Sequence, residues 1–230
     1  MLIQPLPWDS AFFSLKAGKI AEDTFNSEHF LAEKHAFDVI YIFERPDSDK
    51  NEEIRRFCPA PADTKVTFIK EVQENISLYE HIRLYEKNTV DETLLSLCLQ
   101  SGIYSRFKTD AGFPSDAYER LYKKWIENSV EHGAALAVLT YQSGDSMAGF
   151  ITLEAKDGDA HIGLFAVDEQ FRGMGIGKKL LAAAEHFAGR HHFKRLLVST
   201  QQINQGANET YRKYGFSVHQ IVHIYHYWNR

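Results

Sequence analysis

Apolar residues recur at helical spacing most plainly near the C-terminal end. Ile176, Leu180, Ala184, Phe187 and Ala188 follow a 3.6-residue period with Leu181 beside them, while Lys178, Lys179, Glu185 and Arg190 take the other positions. The spacing predicts a helix over 176–190. Ile162 to Val167 and Arg195 to Thr200 read as short buried strands on either side of it, and the stretch from Asn204 to Tyr214 as a second helix that Gly215 stops. Upstream, Ala148 to Leu153 is a further apolar run, and Leu121, Trp125, Ile126 and Val130 share a helix. The final run, Phe216 to Trp228, is rich in Tyr, Ile and Val and reads as two β segments. The first 90 residues alternate extended and helical signals. Phe12 and Phe13 lie near a first strand, then come a helix over about 27–36 and a strand from Asp38 to Phe43. A polar link, Arg45-Pro46-Asp47-Ser48-Asp49, leads to a short helix and a strand from Lys65 to Val72. The pattern predicts an α/β unit over 1–90 and a second unit over 91–230.

Between the strand at 162–167 and the helix from 176 lies Arg172-Gly173-Met174-Gly175-Ile176-Gly177. Glycines let backbone N–H groups turn toward an anion, and the N-terminus of the following helix adds its positive dipole. A pyrophosphate is the expected ligand; a turn that binds nothing is the plain alternative. A P-loop needs glycine at 172 and Ser or Thr at 179, where this chain has Arg172 and Lys179. A dinucleotide fingerprint needs a third glycine at 178, which is Lys178, and would open a βαβ unit. Neither nucleotide class fits.

The Arg-x-x-Gly-x-Gly loop, the preceding strand ending in Val167-Asp168, and Asn204, Ala207, Tyr211, Gly215 and Phe216 at their spacing resemble the GCN5-related N-acetyltransferase superfamily over about residues 100–230. The resemblance implies an α/β fold (α+β by some schemes), with a mixed, mostly antiparallel central sheet flanked by helices; here an N-terminal α/β extension precedes it. It implies acetyl-CoA as donor; no metal is expected. Backbone of Gly173, Met174, Gly175, Ile176, Gly177 and Lys178 would then hold the pyrophosphate, with Arg172 as a nearby positive charge. Leu164, Phe165, Ala166 and Val167 would pair with the pantetheine arm like an added strand, and an N–H of that strand would meet the developing oxyanion. Tyr211 becomes the candidate acid: a phenol with a reference pKa near 10 stays protonated at neutral pH and can donate to a departing thiolate. Tyr214, one turn on, is the rival for that role. Asn204 either hydrogen-bonds the pantetheine arm or caps a helix. For the base, Glu154, His161 and a water chain stay open.

Trp8-Asp9-Ser10-Ala11-Phe12-Phe13, Ser105-Arg106-Phe107 and Trp125-Ile126-Glu127-Asn128-Ser129-Val130 are similar to stretches of the TDP-fucosamine acetyltransferases. That resemblance implies an acceptor amine on a TDP-4-amino-4,6-dideoxyhexose. Arg106 would meet its diphosphate, and Phe107 or Tyr104 would stack on the base or pack on the sugar. Trp8, Phe12, Phe13 and Trp125 are expected in the core.

Composition narrows the partners. With 31 Asp plus Glu against 26 Lys plus Arg, the net charge is −5, which argues against nucleic acid. No apolar stretch reaches membrane-span length, no signal peptide is evident, and a cytoplasmic enzyme is expected. Cys58 and Cys98 do not form a metal-type pair. On a strand, His219 and His223 share a face and His226 points away, which disfavours a metal site. A homodimer stays open, as do another small amine, a protein amine, or a non-catalytic acetyl-CoA sensor.

Overall fold

The computed structural model describes residues 2–73 and 76–229. Its N-terminal elements are β1 (Gln4–Pro5), α1 (Pro7–Phe13), β2 (Ala17–Ile20), α2 (Ser27–Glu33), β3 (Val39–Glu44), α3 (Lys50–Arg55), β4 (Asp63–Glu71) and β5 (Ile82–Leu84). There follow α4 (Glu92–Ser101), α5 (Arg106–Thr109), α6 (Ala117–Glu131), β6 (Ala137–Ser143), β7 (Ser146–Lys156) and β8 (Asp159–Val167). The chain closes with α7 (Ile176–Arg190), β9 (Arg195–Gln201), α8 (Gln205–Tyr214) and β10 (Ser217–Trp228).

All ten strands join one sheet in the order β1-β2-β3-β10-β4-β9-β8-β7-β6-β5. Neighbours run antiparallel except β2 with β3 and β8 with β9. Residues 1–90 and 91–230 therefore share a single sheet: β4 lies between β10 and β9, and β5 pairs with β6. Period-two alternation gives the strands two apolar faces, so helices cover both. On one side α2 and α3 pack Phe30 and Ile54 against Ile40, Ile42 and Tyr225, while α7 and α8 bring Leu180, Ala184 and Tyr211 onto Phe68, Leu153 and Val198. On the other, Leu94 and Leu97 of α4 and Ile126 of α6 meet Phe150 and Leu164, and Phe13, Phe107 and Leu121 meet Val39 and Tyr41.

Phe12 and Phe13 end α1, which Pro7 opens with its fixed φ, and lie just before β2. Two local readings change. The terminal run is one 12-residue strand, with a register shift between Val218 and Gln220. Glu185, placed by its spacing among polar positions, is fully buried in α7. It pairs with Lys70 of β4, accepts the Gln73 N–H at 2.9 Å and accepts the Tyr214 hydroxyl at 2.7 Å. A buried carboxylate needs such partners, and here they tie α7, β4 and α8 together. Among the described residues no helix is long and apolar enough to cross a membrane.

Candidate active site

The parallel pair β8–β9 holds register only from Ala160 opposite Leu196 to Ile162 opposite Val198. Beyond that point the strands part, and a cleft of about 660 Å³ opens between Gly163–Val167 and Ser199–Gln201. A strand edge released in this way offers backbone donors and acceptors to an extended ligand. Phe165, Ala166 and Val167 keep their other edge on β7.

The glycine loop lines the cleft. Gly173 and Gly175 sit at φ 80° and 76°, a conformation that favours glycine. Gly175 caps α7 without a side-chain hydrogen bond, so the first-turn amides meet no capping group. Arg172 Nε donates to the Val167 carbonyl at 3.1 Å, which fixes the loop's entry. Gln100 at the end of α4 donates to Asp168 at 2.9 Å and ties that helix to the same corner. Met174 is exposed, and Gly177 faces Phe165 and Thr210. Arg172, Gly173, Gly175, Ile176, Gly177 and Lys178 all line the cleft, as do Leu164 to Val167, Asn204 and Tyr211. The amides, the uncapped helix end and the open strand edge fit a diphosphate followed by an amide-bearing arm.

The two tyrosines of α8 separate clearly. Tyr211 is buried against Phe68, Phe165 and Phe216, and burial pushes its phenol pKa up, so it stays protonated. Tyr214 spends its hydroxyl on Glu185. Asn204 caps α8, accepting from the Ala207 N–H at 3.2 Å, and its amide donates to Thr200 Oγ1 at 3.2 Å.

Glu154 and His161 are cross-strand partners on β7 and β8, and neither is among the residues that line the cleft. A Cβ at position 163 would collide with the Glu154 carboxylate, so that carboxylate lies over Gly163, at the point where β8 leaves β9. Burial raises the Glu154 pKa and lowers that of His161. Gly163 is the signal of this contact in the sequence, because an isolated glycine in a strand marks a close approach.

The acceptor candidates diverge. Tyr104 is 39% exposed and lines the cleft, together with Tyr122 and Trp125 of α6, which the sequence assigned to packing or left unremarked. Phe107 is buried among Phe13, Phe113 and Trp125 and does not line that cleft. Arg106 does not line the cleft either; its guanidinium carbon lies 4.4 Å from the Phe107 ring centroid and 5.4 Å from that of Tyr41. Burial pushes its pKa down, opposed by Tyr41, Asp63 and Asp9. Asp63 of β4 is raised to about 6 by burial, although Arg106 is near. His226 Nδ1 meets Asp110 at 2.6 Å, and Trp228 Nε1 donates to the same oxygen at 2.9 Å.

A family model described as "Acetyltransferase (GNAT) family" matches residues 101–216. The spore coat polysaccharide biosynthesis protein SpsD of Bacillus subtilis is 26% identical over 137 residues, 60% of this chain and 47% of that one. A dTDP-fucosamine acetyltransferase of Escherichia coli is 34% identical over 122 residues, 52% of this chain and 51% of that one. The chain thus spans about half the length of these curated relatives. A GCN5-related N-acetyltransferase structure from Sphaerobacter thermophilus superposes with a TM-score of 0.55 at 14% identity, covering 87% of this chain and 64% of that one, a likeness of fold.

Proposed function

The chain belongs to the acetyltransferase (GNAT) family, and on that premise we propose that it moves acetyl from acetyl-CoA to the amine of a nucleotide-linked amino sugar, of the TDP-4-amino-4,6-dideoxyhexose type. The observation that carries the transferase reading is the splayed β8–β9 cleft, with an uncapped helix N-terminus on its lining and a carboxylate over Gly163, where the strands part. The names of two relatives, a polysaccharide biosynthesis protein and a dTDP-fucosamine acetyltransferase, support the sugar reading.

In this proposal acetyl-CoA supplies an activated acyl carbon. The amides from Gly173 to Lys178 hold its diphosphate, with Arg172 alongside, and the open edge of Leu164 to Val167 pairs with its amide-bearing arm. An N–H of that edge stabilises the carbonyl oxygen as charge develops on it. The acceptor nitrogen attacks the carbonyl carbon directly, a C–N bond replaces the C–S bond, Glu154 takes the proton lost by nitrogen, and Tyr211 gives one to sulfur. Cys58 and Cys98 are buried with thiols pushed up to about 12, which suits direct transfer better than an acyl-enzyme. Asp63 and Asp9, the carboxylates that act on Arg106, favour a second reading, an acceptor that is a cationic small amine without phosphate.

The test is acceptor-dependent thiol release at saturating acetyl-CoA, with TDP-4-amino-4,6-dideoxygalactose, its glucose epimer, a polyamine and an aminoglycoside as acceptors. Turnover of a TDP sugar is the expected result. No turnover of either epimer removes the sugar reading, and binding of acetyl-CoA without release for any amine points to a sensor.

A further inference from the structure

Arg106 is a half-buried cation at the start of α5. Its Nε is buried without a partner among the described residues. Its guanidinium rests against Phe107 and Tyr41 and forms no ion pair there, although Asp63 and Asp9 act on it from farther away. The same cluster holds two more buried polar atoms without partners, Tyr41 Oη and His226 Nε2. The Tyr41 and His226 rings lie 4.9 Å apart on the paired strands β3 and β10, and their side chains are about 1% exposed. With Nδ1 turned to the Asp110 carboxylate, His226 presents Nε2 as an acceptor, while Arg106 and Tyr41 present donors. The ring neighbours Phe13 and Phe113 supply no hydrogen-bonding group, and the Asp9 carboxylate, beyond hydrogen-bond distance of Tyr41 Oη, is the charge that acts on both Tyr41 and Arg106. Unpaired buried polar groups lower the stability of the free protein, and replacing a buried ion by an apolar group of similar volume is often neutral or stabilising. Three such atoms in one cluster are therefore poor stability elements. Tyr122 links the cluster to the cleft, with its ring on the cleft wall and its phenol in the field of Arg106 and Asp63.

We propose that Arg106, Tyr41 and His226 form the anchoring pocket for the acceptor, with Arg106 and Tyr41 donating to an oxyanion of the acceptor and His226 Nε2 accepting from a hydroxyl of the same molecule. This deepens the sugar-nucleotide reading above and rests on it for the identity of the oxyanion, the diphosphate. The three residues come from β3, the start of α5 and β10, and none of them lines the β8–β9 cleft that holds the glycine loop.

The test uses the full chain saturated with acetyl-CoA, so that the loop at 173–177 is occupied, and titrates TDP and inorganic pyrophosphate by calorimetry. Wild type binds TDP. Arg106→Met weakens that binding and raises the acceptor KM by about 10- to 100-fold, with unchanged acetyl-CoA affinity and a melting temperature equal to or above wild type. Tyr41→Phe shows the same pattern with a smaller shift. A drop in melting temperature for both variants, with acceptor KM unchanged, makes the cluster structural and overturns the proposal. If no TDP sugar turns over but another anionic amine does, and its KM rises in Arg106→Met, the anchor stands and only the sugar identity falls. TDP bound equally by wild type and Arg106→Met overturns the anchor while leaving acetyl transfer intact.

Discussion

Tyr211 and Tyr214 lie one turn apart on α8, and their surroundings give them different chemistry. Tyr214 donates to a buried carboxylate and is held there, whereas Tyr211 has its pKa raised by burial alone and faces the cleft. General acid–base groups contribute roughly 10²- to 10⁴-fold, so Tyr211→Phe is expected to lower kcat within that range while calorimetric acetyl-CoA affinity holds. Unchanged turnover at saturating substrates would remove it as the acid. Glu154 carries the matching expectation for pH. A base must be ionised, so activity is present above its pKa and lost below it; burial has raised that pKa and moved the loss toward neutrality. Wild type then shows two acid-side ionisations in kcat/KM, one from the amine and one from the carboxyl. Glu154→Gln keeps only the amine's, and a persisting second ionisation would point to another base.

At the scale of elements, the loop and α7 act as one device. Gly175 is both the cap of α7 and a residue at φ 76°, and nothing lies within 4 Å of where a Cβ would stand. Space is therefore no obstacle to a side chain; conformation is. An L residue there costs about 1–2 kcal/mol, which competes with the loop shape that aligns the amides. Gly175→Ala is expected to raise the acetyl-CoA Kd by about tenfold and lower the melting temperature by a few degrees. An unaltered Kd by calorimetry would mean that these amides do not hold the diphosphate. Glu185 works on the next element, since its bonds to β4 and α8 set where Tyr211 stands relative to β9.

At the scale of the molecule, β10 is central. It pairs along Val39–Glu44 on one side and Asp63–Ile69 on the other, so the last strand of the chain is held between two early ones. Removing residues 1–60 would strip β1 to β3, leave an edge of unpaired backbone on β10, and uncover Tyr225 and Trp228. Exposed long apolar edges pair with other chains. The truncated chain is expected to aggregate or self-associate in size-exclusion chromatography. A monomeric fragment with wild-type melting temperature and acetyl-CoA affinity would show instead that 1–60 folds apart from the rest.

Much of the donor end was legible from residues alone: the loop 172–177, the helix over 176–190, Asn204 before α8 and Gly215 after it. Each is written in local backbone demands, such as positive φ at a glycine, a cap or a 3.6-residue period, and such demands act over a few neighbouring positions. What depended on distant partners was not legible. Periodicity placed Glu185 outward because it cannot register Lys70 and Tyr214, and it divided β10 because one bulge breaks the alternation. Strand order, the parting of β8 from β9, the Glu154 carboxylate over Gly163, and the meeting of Tyr41, Arg106 and His226 came only from the tertiary structure. Long-range pairing is chosen by the burial of whole faces, an energy that no short window of sequence contains.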